Sequence, residues 1–199
     1  MSTSLEDDRR RFFHSTGFDA RAYDRRWLSF RLRPLTIHYP MTRGLRAALP
    51  RHDLHHILTG YAADVVGEAE IAAWELASGC GRNATAWYGN LAFMSLGVLL
   101  APVRTLAAFV RGRSSANLYA DPTPLERLLE QPTESLRDRL GLTHSTRRGT
   151  LADVALAAAT SAASLVAGAS FLGAIPALSL IHRMLPDAEH AEESTRESH

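Results

Sequence analysis

His52, Asp53 and His56, followed after eleven intervening residues by Glu68, are the side chains of this sequence best placed to do chemistry. On an α-helix, residues i and i+4 share a face, so His52 and His56 can present two imidazoles to one ion. Asp53 lies about 100° round the helix from His52, where it can reach the rim as a ligand or orient an imidazole. Glu68 joins the set only if the chain turns back, because twelve residues of unbroken helix would carry it about 18 Å from His56. Gly60 supplies the break, and two facing helices that each give inward ligands are how helical bundles build metal sites. In a chain of this composition HDxxH arises by chance roughly once in fifty sequences, and the plain alternative is a capped, solvated helix face. The pattern also looks like the zinc-protease HExxH with Asp as the base, but Asp is one methylene too short to hold the attacking water in the same place.

The elements that must position these residues are helical. Arg51 to Thr59 reads as a helix stopped by Gly60, with Leu49-Pro50 as a break before it. Asp64 is a candidate cap for a second helix running to about Ser78, ahead of Gly79 and Gly81. Residues 83–110 form a mainly apolar helical span broken or kinked at Pro102. Thr123-Pro124-Leu125-Glu126 reads as a capping box, and Thr133 opens another short helix carrying Leu136 and Leu140 and stopped by Gly141. No convincing strand alternation is present, so the expected fold is all-α, a helical bundle with an inward-facing metal site.

The chain has 199 residues, one cysteine (Cys80), 46% apolar residues and a formal charge of +1. A lone cysteine excludes a disulfide scaffold and a thiolate-only zinc site within one chain. Near-neutral charge argues against a general nucleic-acid binder. All 22 basic residues are Arg, and half of them fall within residues 1–51. That arm, 1–50, interleaves Arg with Phe12, Phe13, Phe18, Tyr23, Trp27 and Phe30, and reads as a pair of helices with aromatics on the core. A metal-binding helical core over 51–144 is expected to follow, then an apolar segment over 145–185, then an acidic tail over 186–199 expected to be disordered. Val154 to Ile181 holds no charged residue in 28 positions. It is long enough for a membrane-embedded or membrane-lying segment, as one tilted span or a short hairpin, although Gly168, Gly173 and Pro176 interrupt it, and an Ala-rich core helix pair is the alternative reading. Arg147 and Arg148 ahead of it outnumber Arg183 behind, which would keep the motif-bearing domain cytoplasmic. The first residues run straight into charge without an apolar leader, which also fits cytoplasmic synthesis.

HDxxH-x11-E at His52, Asp53, His56 and Glu68 resembles the signature of the coenzyme Q biosynthesis protein 4 family. The similarity continues through Gly67-Glu68 and Trp74, through Ala101-Pro102-Val103-Arg104, and through Arg111-Gly112-Arg113 to Asn117-Leu118-Tyr119. Leu136-Arg137 and Leu140-Gly141-Leu142 resemble its closing segment, so about 51–142 is covered in the family's order. His55 stands where the family often has Trp, and the Trp-Glu common after Asn-Leu-Tyr is absent, with Leu125-Glu126 the nearest approach. The apolar segment 154–181 lies beyond the family's usual end.

The resemblance implies an all-helical, membrane-associated protein that binds a divalent metal, most simply zinc, and holds an isoprenoid tail in a cavity. It implies a place in ubiquinone synthesis, either organising other quinone-biosynthesis enzymes or acting as a lyase that removes the C1 carboxyl from a prenylated benzoate ring, with oxidation of that carbon. The span 83–110 could then line the tail cavity, with Arg104, Arg111 or Arg113 near the substrate head group, against ordinary surface charge as their alternative reading. His52, Asp53, His56 and Glu68 would be both the metal ligands and the catalytic residues, and a homo-oligomer is compatible with this reading. Two other readings stay open: a non-catalytic prenyl-lipid-binding scaffold with a structural metal, and an unrelated metal-dependent hydrolase.

Overall fold

Ser4 accepts the Asp7 N–H and so starts helix α1 (Leu5–Thr16), the first element of a computed structural model that describes residues 3–32, 35–143 and 149–185. A 3₁₀ turn (Ala20–Asp24) follows, then strands β1 (Trp27–Leu32) and β2 (Leu35–Pro40), and then α2 (Arg43–Thr59), α3 (Val65–Ser78), α4 (Ala84–Leu100), α5 (Pro102–Gly112), α6 (Leu125–Leu129), α7 (Thr133–Arg139) and α8 (Leu151–Met184). Among the described residues the protein is all-α, with one antiparallel hairpin in register from Trp27↔Pro40 to Leu32↔Leu35.

That hairpin corrects the expectation that no strand would form and that the arm is a pair of helices. Of the described side chains, β1 buries Trp27 and β2 buries Ile37, which fall on opposite faces in this register while Ser29 is exposed, so no period-two stripe marks the segment in the sequence. A second correction concerns Pro50, which lies inside α2 and not before it. An interior proline forfeits one helical hydrogen bond and costs about 3 kcal/mol. Burial of Ala48 and Leu49 offsets that cost, as does the Arg46 guanidinium, which docks on the backbone carbonyls of Tyr23 and Arg25. The boundary drawn between 50 and 51 therefore falls in mid-helix.

Two clusters make the core. Ile71, Trp74, Met94, Phe109 and Ala157 join α3, α4, α5 and α8. Leu5, Leu54, Leu58, Leu118, Leu128 and Leu136 join α1, α2, α6 and α7. Burying each such large side chain contributes about 1.5–3 kcal/mol. α2 contributes to both clusters, which fixes the face that carries His52 and His56. The capping box expected at Thr123 does not form: Asp121 takes the Thr123 N–H, and α6 starts after Pro124 with no side-chain cap. Pro102 opens α5 as its first residue and so separates two helices, as its missing N–H favours.

α8 is one continuous helix, neither broken nor folded into a hairpin. Its start is a capping box between Thr150 and Asp153. Gly168 does not interrupt it but lets it approach α4, since a Cβ there would collide with the Ser95 side chain. Ala157, Ser164, Ala167 and Gly168 are buried against the bundle, and the C-terminal end meets the hairpin, where Trp27 Nε1–H donates to the Leu185 carbonyl at 2.7 Å. The opposite face exposes Leu156, Leu165, Val166, Leu172, Leu180 and Ile181. The arginines at 147 and 148 and the tail 186–199 lie outside the described residues.

Candidate metal centre

Two local devices bring the four motif residues into range. Gly60 takes the left-handed conformation (φ +80°) that ends α2, and its N–H donates to the His56 carbonyl at 2.9 Å. Asp64 then accepts the Val66 and Gly67 N–H groups and starts α3 in the reverse direction. Gly67 has no side chain because the Ala62 carbonyl passes over it, and this close approach sets Glu68 opposite α2.

The result is a three-residue cluster able to hold a metal ion: His52, His56 and Glu68. The two Nε2 atoms are 3.3 Å apart, and Glu68 lies 3.3 Å from each, Oε2 to His52 and Oε1 to His56. A tetrahedral zinc ion with Zn–N of about 2.05 Å spaces its nitrogens by about 3.3 Å, so the imidazoles already stand at ligand separation. The far nitrogens are fixed in the way metal-ligating histidines require. His56 Nδ1–H donates to the Tyr61 carbonyl at 3.1 Å, and His52 Nδ1–H donates to Glu75 Oε1 at 3.0 Å. Both Nε2 atoms are thereby left to face Glu68.

The electrostatics favour a positive charge at that point. Burial disfavours the His52 imidazolium, but the Glu75 and Glu68 carboxylates outweigh it and raise its pKa well above the ordinary value. Burial likewise pushes Glu68 up, yet the hydrogen bonds from His52 and His56 hold it at about 2. A divalent ion between the two Nε2 atoms and Glu68 would meet that same favourable charge.

Asp53 is adjacent but differently engaged. It accepts a hydrogen bond from the Tyr23 hydroxyl, and burial raises its carboxyl against the opposing pull of His52. It lines the same cavity as the three-residue cluster without belonging to the cluster. His55, which the sequence places beside the site, points the other way. Its Nε2 accepts the Leu118 N–H at 2.9 Å, its Nδ1–H donates to Glu75 at 2.6 Å, and burial between Trp74 and Tyr119 lowers its pKa.

A cavity of about 460 Å³ opens onto the cluster. That is within the usual range for small-molecule sites. Its walls are mostly apolar: Phe12 and Phe18 from the arm, Leu28 from β1, Leu45 and Leu49 from α2, Val65 and Phe93. Phe12 also stacks on the His56 ring at 5.6 Å. The arm and α2 thus supply most of the lining, whereas of 83–110 only the first half of α4 contributes. Arg104, Arg111 and Arg113 do not line it. Arg104 makes a bidentate pair with Glu70 (2.9 and 2.6 Å), Arg111 donates to the Thr59 carbonyl and covers the Tyr61 ring, and Arg113 meets Asp153 at 3.4 Å.

Sequence reasoning missed Glu75, Tyr23, Asn90 and Tyr119. Only Glu75 carried a signal: it is seven residues after Glu68, two helical turns on, and so on the same face of α3. The others arrive from segments remote in sequence. No protein-family model, curated protein or solved structure matches the chain.

Proposed function

We propose that this protein is a metal-dependent enzyme acting on prenylated benzoate or quinone precursors at a membrane surface, in the manner the resemblance to the coenzyme Q biosynthesis protein 4 family implies. The observation that carries the reading is the pairing of a three-ligand cluster, His52, His56 and Glu68, with an apolar cavity that reaches it. Three protein ligands leave a position open to substrate, the arrangement of catalytic sites, whereas structural sites are closed by four. The Tyr23 hydrogen bond occupies Asp53 and favours the open arrangement over the scaffold reading. A zinc ion held there would supply Lewis-acid stabilisation to a ring carboxylate or phenolate.

The chain's own groups account for the rest. Phe12, Phe18 and Phe93 present an apolar, water-excluding wall to a ring and the start of an isoprenoid chain. The decarboxylation by itself, without oxidation of that carbon, replaces the ring carboxylate by a proton at the ring carbon as CO2 leaves. Asp53, whose carboxyl burial raises, is the group at the cavity wall suited to carry that proton, with Tyr23 O–H holding it in place.

The membrane part of the reading rests on α8. Its outward face is free of charge over 28 residues while its inward face is packed on α4 and the hairpin. A lone span would have to strip those contacts, so α8 lies along the membrane with its outer face in the lipid. Elemental analysis of the purified protein, with mass spectrometry of co-purifying lipid, tests the whole. Stoichiometric zinc with a prenylated aromatic acid or quinone is expected, and a metal-free protein carrying no such lipid would refute it.

A further inference from the structure

We infer that Glu75 is a positioning residue of the metal centre, holding His52 to the metal through the imidazole's far side; this rests on the metal-centre reading above. Glu75 is wholly buried, and its four partners are all donors. Oε1 takes Nδ1–H from His52 at 3.0 Å and from His55 at 2.6 Å. Oε2 takes Nδ2–H from Asn90 at 2.6 Å and O–H from Tyr119 at 2.9 Å. A carboxylate offers about four acceptor sites, and here each is filled.

The direction of every bond in this network is determined. His55 Nε2 accepts the Leu118 N–H, so its proton must be on Nδ1, aimed at Glu75. Asn90 contacts Glu75 through its amide nitrogen. With three donors so placed, the carboxylate remains an acceptor toward His52 as well, and His52 keeps its proton on Nδ1. Nε2 is then the only nitrogen His52 can offer, and it faces Glu68 and His56. The chain of contacts from the Leu118 backbone through His55 and Glu75 to His52 ties α2 to α3, so the ring cannot turn without breaking a buried bond. The negative charge of Glu75, one bond beyond the ligand shell, also adds to that of Glu68 in favouring a dication.

Outer carboxylates of this kind typically carry 10- to 100-fold in metal affinity. The test measures zinc affinity of the full chain by competition with a chromophoric chelator, together with the visible spectrum of the Co(II)-loaded form. Glu75→Gln is expected to weaken zinc binding 10- to 100-fold and to shift the Co(II) bands at saturation, with the helical circular-dichroism signal retained. Tyr119→Phe removes a donor from the opposite oxygen and is expected to change affinity by less than about threefold. Glu75→Gln binding zinc like the parent with an unshifted spectrum overturns the inference and leaves the metal centre standing. A parent chain that binds no zinc overturns the metal centre itself. Should Glu75→Gln not fold, ¹⁵N spectra of the zinc-loaded parent decide: His52 bound through Nε2 with a slowly exchanging Nδ1–H supports the role, and His52 bound through Nδ1 refutes it.

Discussion

Gly168 and Gly173 sit five residues apart in α8, and replacing each with alanine tests whether that helix is docked on the bundle. In a helix interior, Gly→Ala is worth about 0.8–1.0 kcal/mol of stabilisation. At Gly173 a Cβ would meet nothing within 4 Å, so Gly173→Ala should show that gain undiminished. At Gly168 the Cβ would overlap both Oγ and Cβ of Ser95, a buried residue whose Oγ is committed to the Ala92 carbonyl at 2.6 Å. Neither atom is the far end of a flexible side chain, so α8 and α4 must separate locally. Overpacking of this kind costs about 1–3 kcal/mol. Gly168→Ala should thus lie about 1–3 kcal/mol below Gly173→Ala, or roughly 2–12 °C in Tm for a chain of this size. Urea and thermal unfolding followed by circular dichroism, in the same mild detergent throughout, give the comparison. Two variants equally stabilised would show that α8 does not pack on α4 through Gly168, and the membrane-lying arrangement would fall with it.

A His52→Ala/His56→Ala double variant should lose bound metal, read by elemental analysis; stoichiometric zinc in that variant would remove the centre. Charging the outer face of α8 with Val166→Asp and Leu172→Asp, both exposed, should abolish binding to anionic phospholipid vesicles in a flotation assay while leaving the melting curve nearly unchanged. Deleting residues 150–185 should instead destabilise the whole chain, since α8 covers the α3–α4–α5 cluster, and limited proteolysis would report it. In the metal-free chain Glu68, held at about 2 against its ordinary 4.5, contributes stability that is present above pH 4.5 and lost as pH falls towards 2. His52, raised by its carboxylate neighbours, contributes stability that is complete below pH 6.5 and fades as pH rises through its shifted value. A melting-temperature profile that rises steadily above pH 6.5 would contradict that sign.

The three residues able to hold a metal ion were legible because the signals that place them are local. His52 and His56 need only a helix, and Gly60 and Asp64 are turn and cap residues whose backbone preferences hold in any fold. The same holds for the all-α character, for the stop at Gly141 and for the start of α5 at Pro102. What the sequence could not reveal depends on contacts between distant segments. Pro50 reads as a break by propensity, yet docking of Arg46 and burial of Leu49 outweigh the lost hydrogen bond. The hairpin from Trp27 to Pro40 carries no apolar alternation to read, because of its described side chains Trp27 and Ile37 alone are deeply buried and they lie on opposite faces. Arg104, Arg111 and Arg113 have the right charge for a head group, but each is held by a partner 34 to 52 residues away.

Asp53 shows where the division falls. Its position one residue after His52 determines that it stands near the site, and nothing local determines more. Tyr23, thirty residues earlier, arrives on the arm and takes its carboxylate; the wall of the cavity forms from the same arm. The sequence by itself determined which atoms could bind a cation, because helix periodicity and turn chemistry act over a few residues. Tertiary structure alone decided how many of them converge, which imidazole nitrogens face inward, and that the open side meets an apolar cavity, because those depend on burial and on hydrogen bonds between segments that only folding brings together.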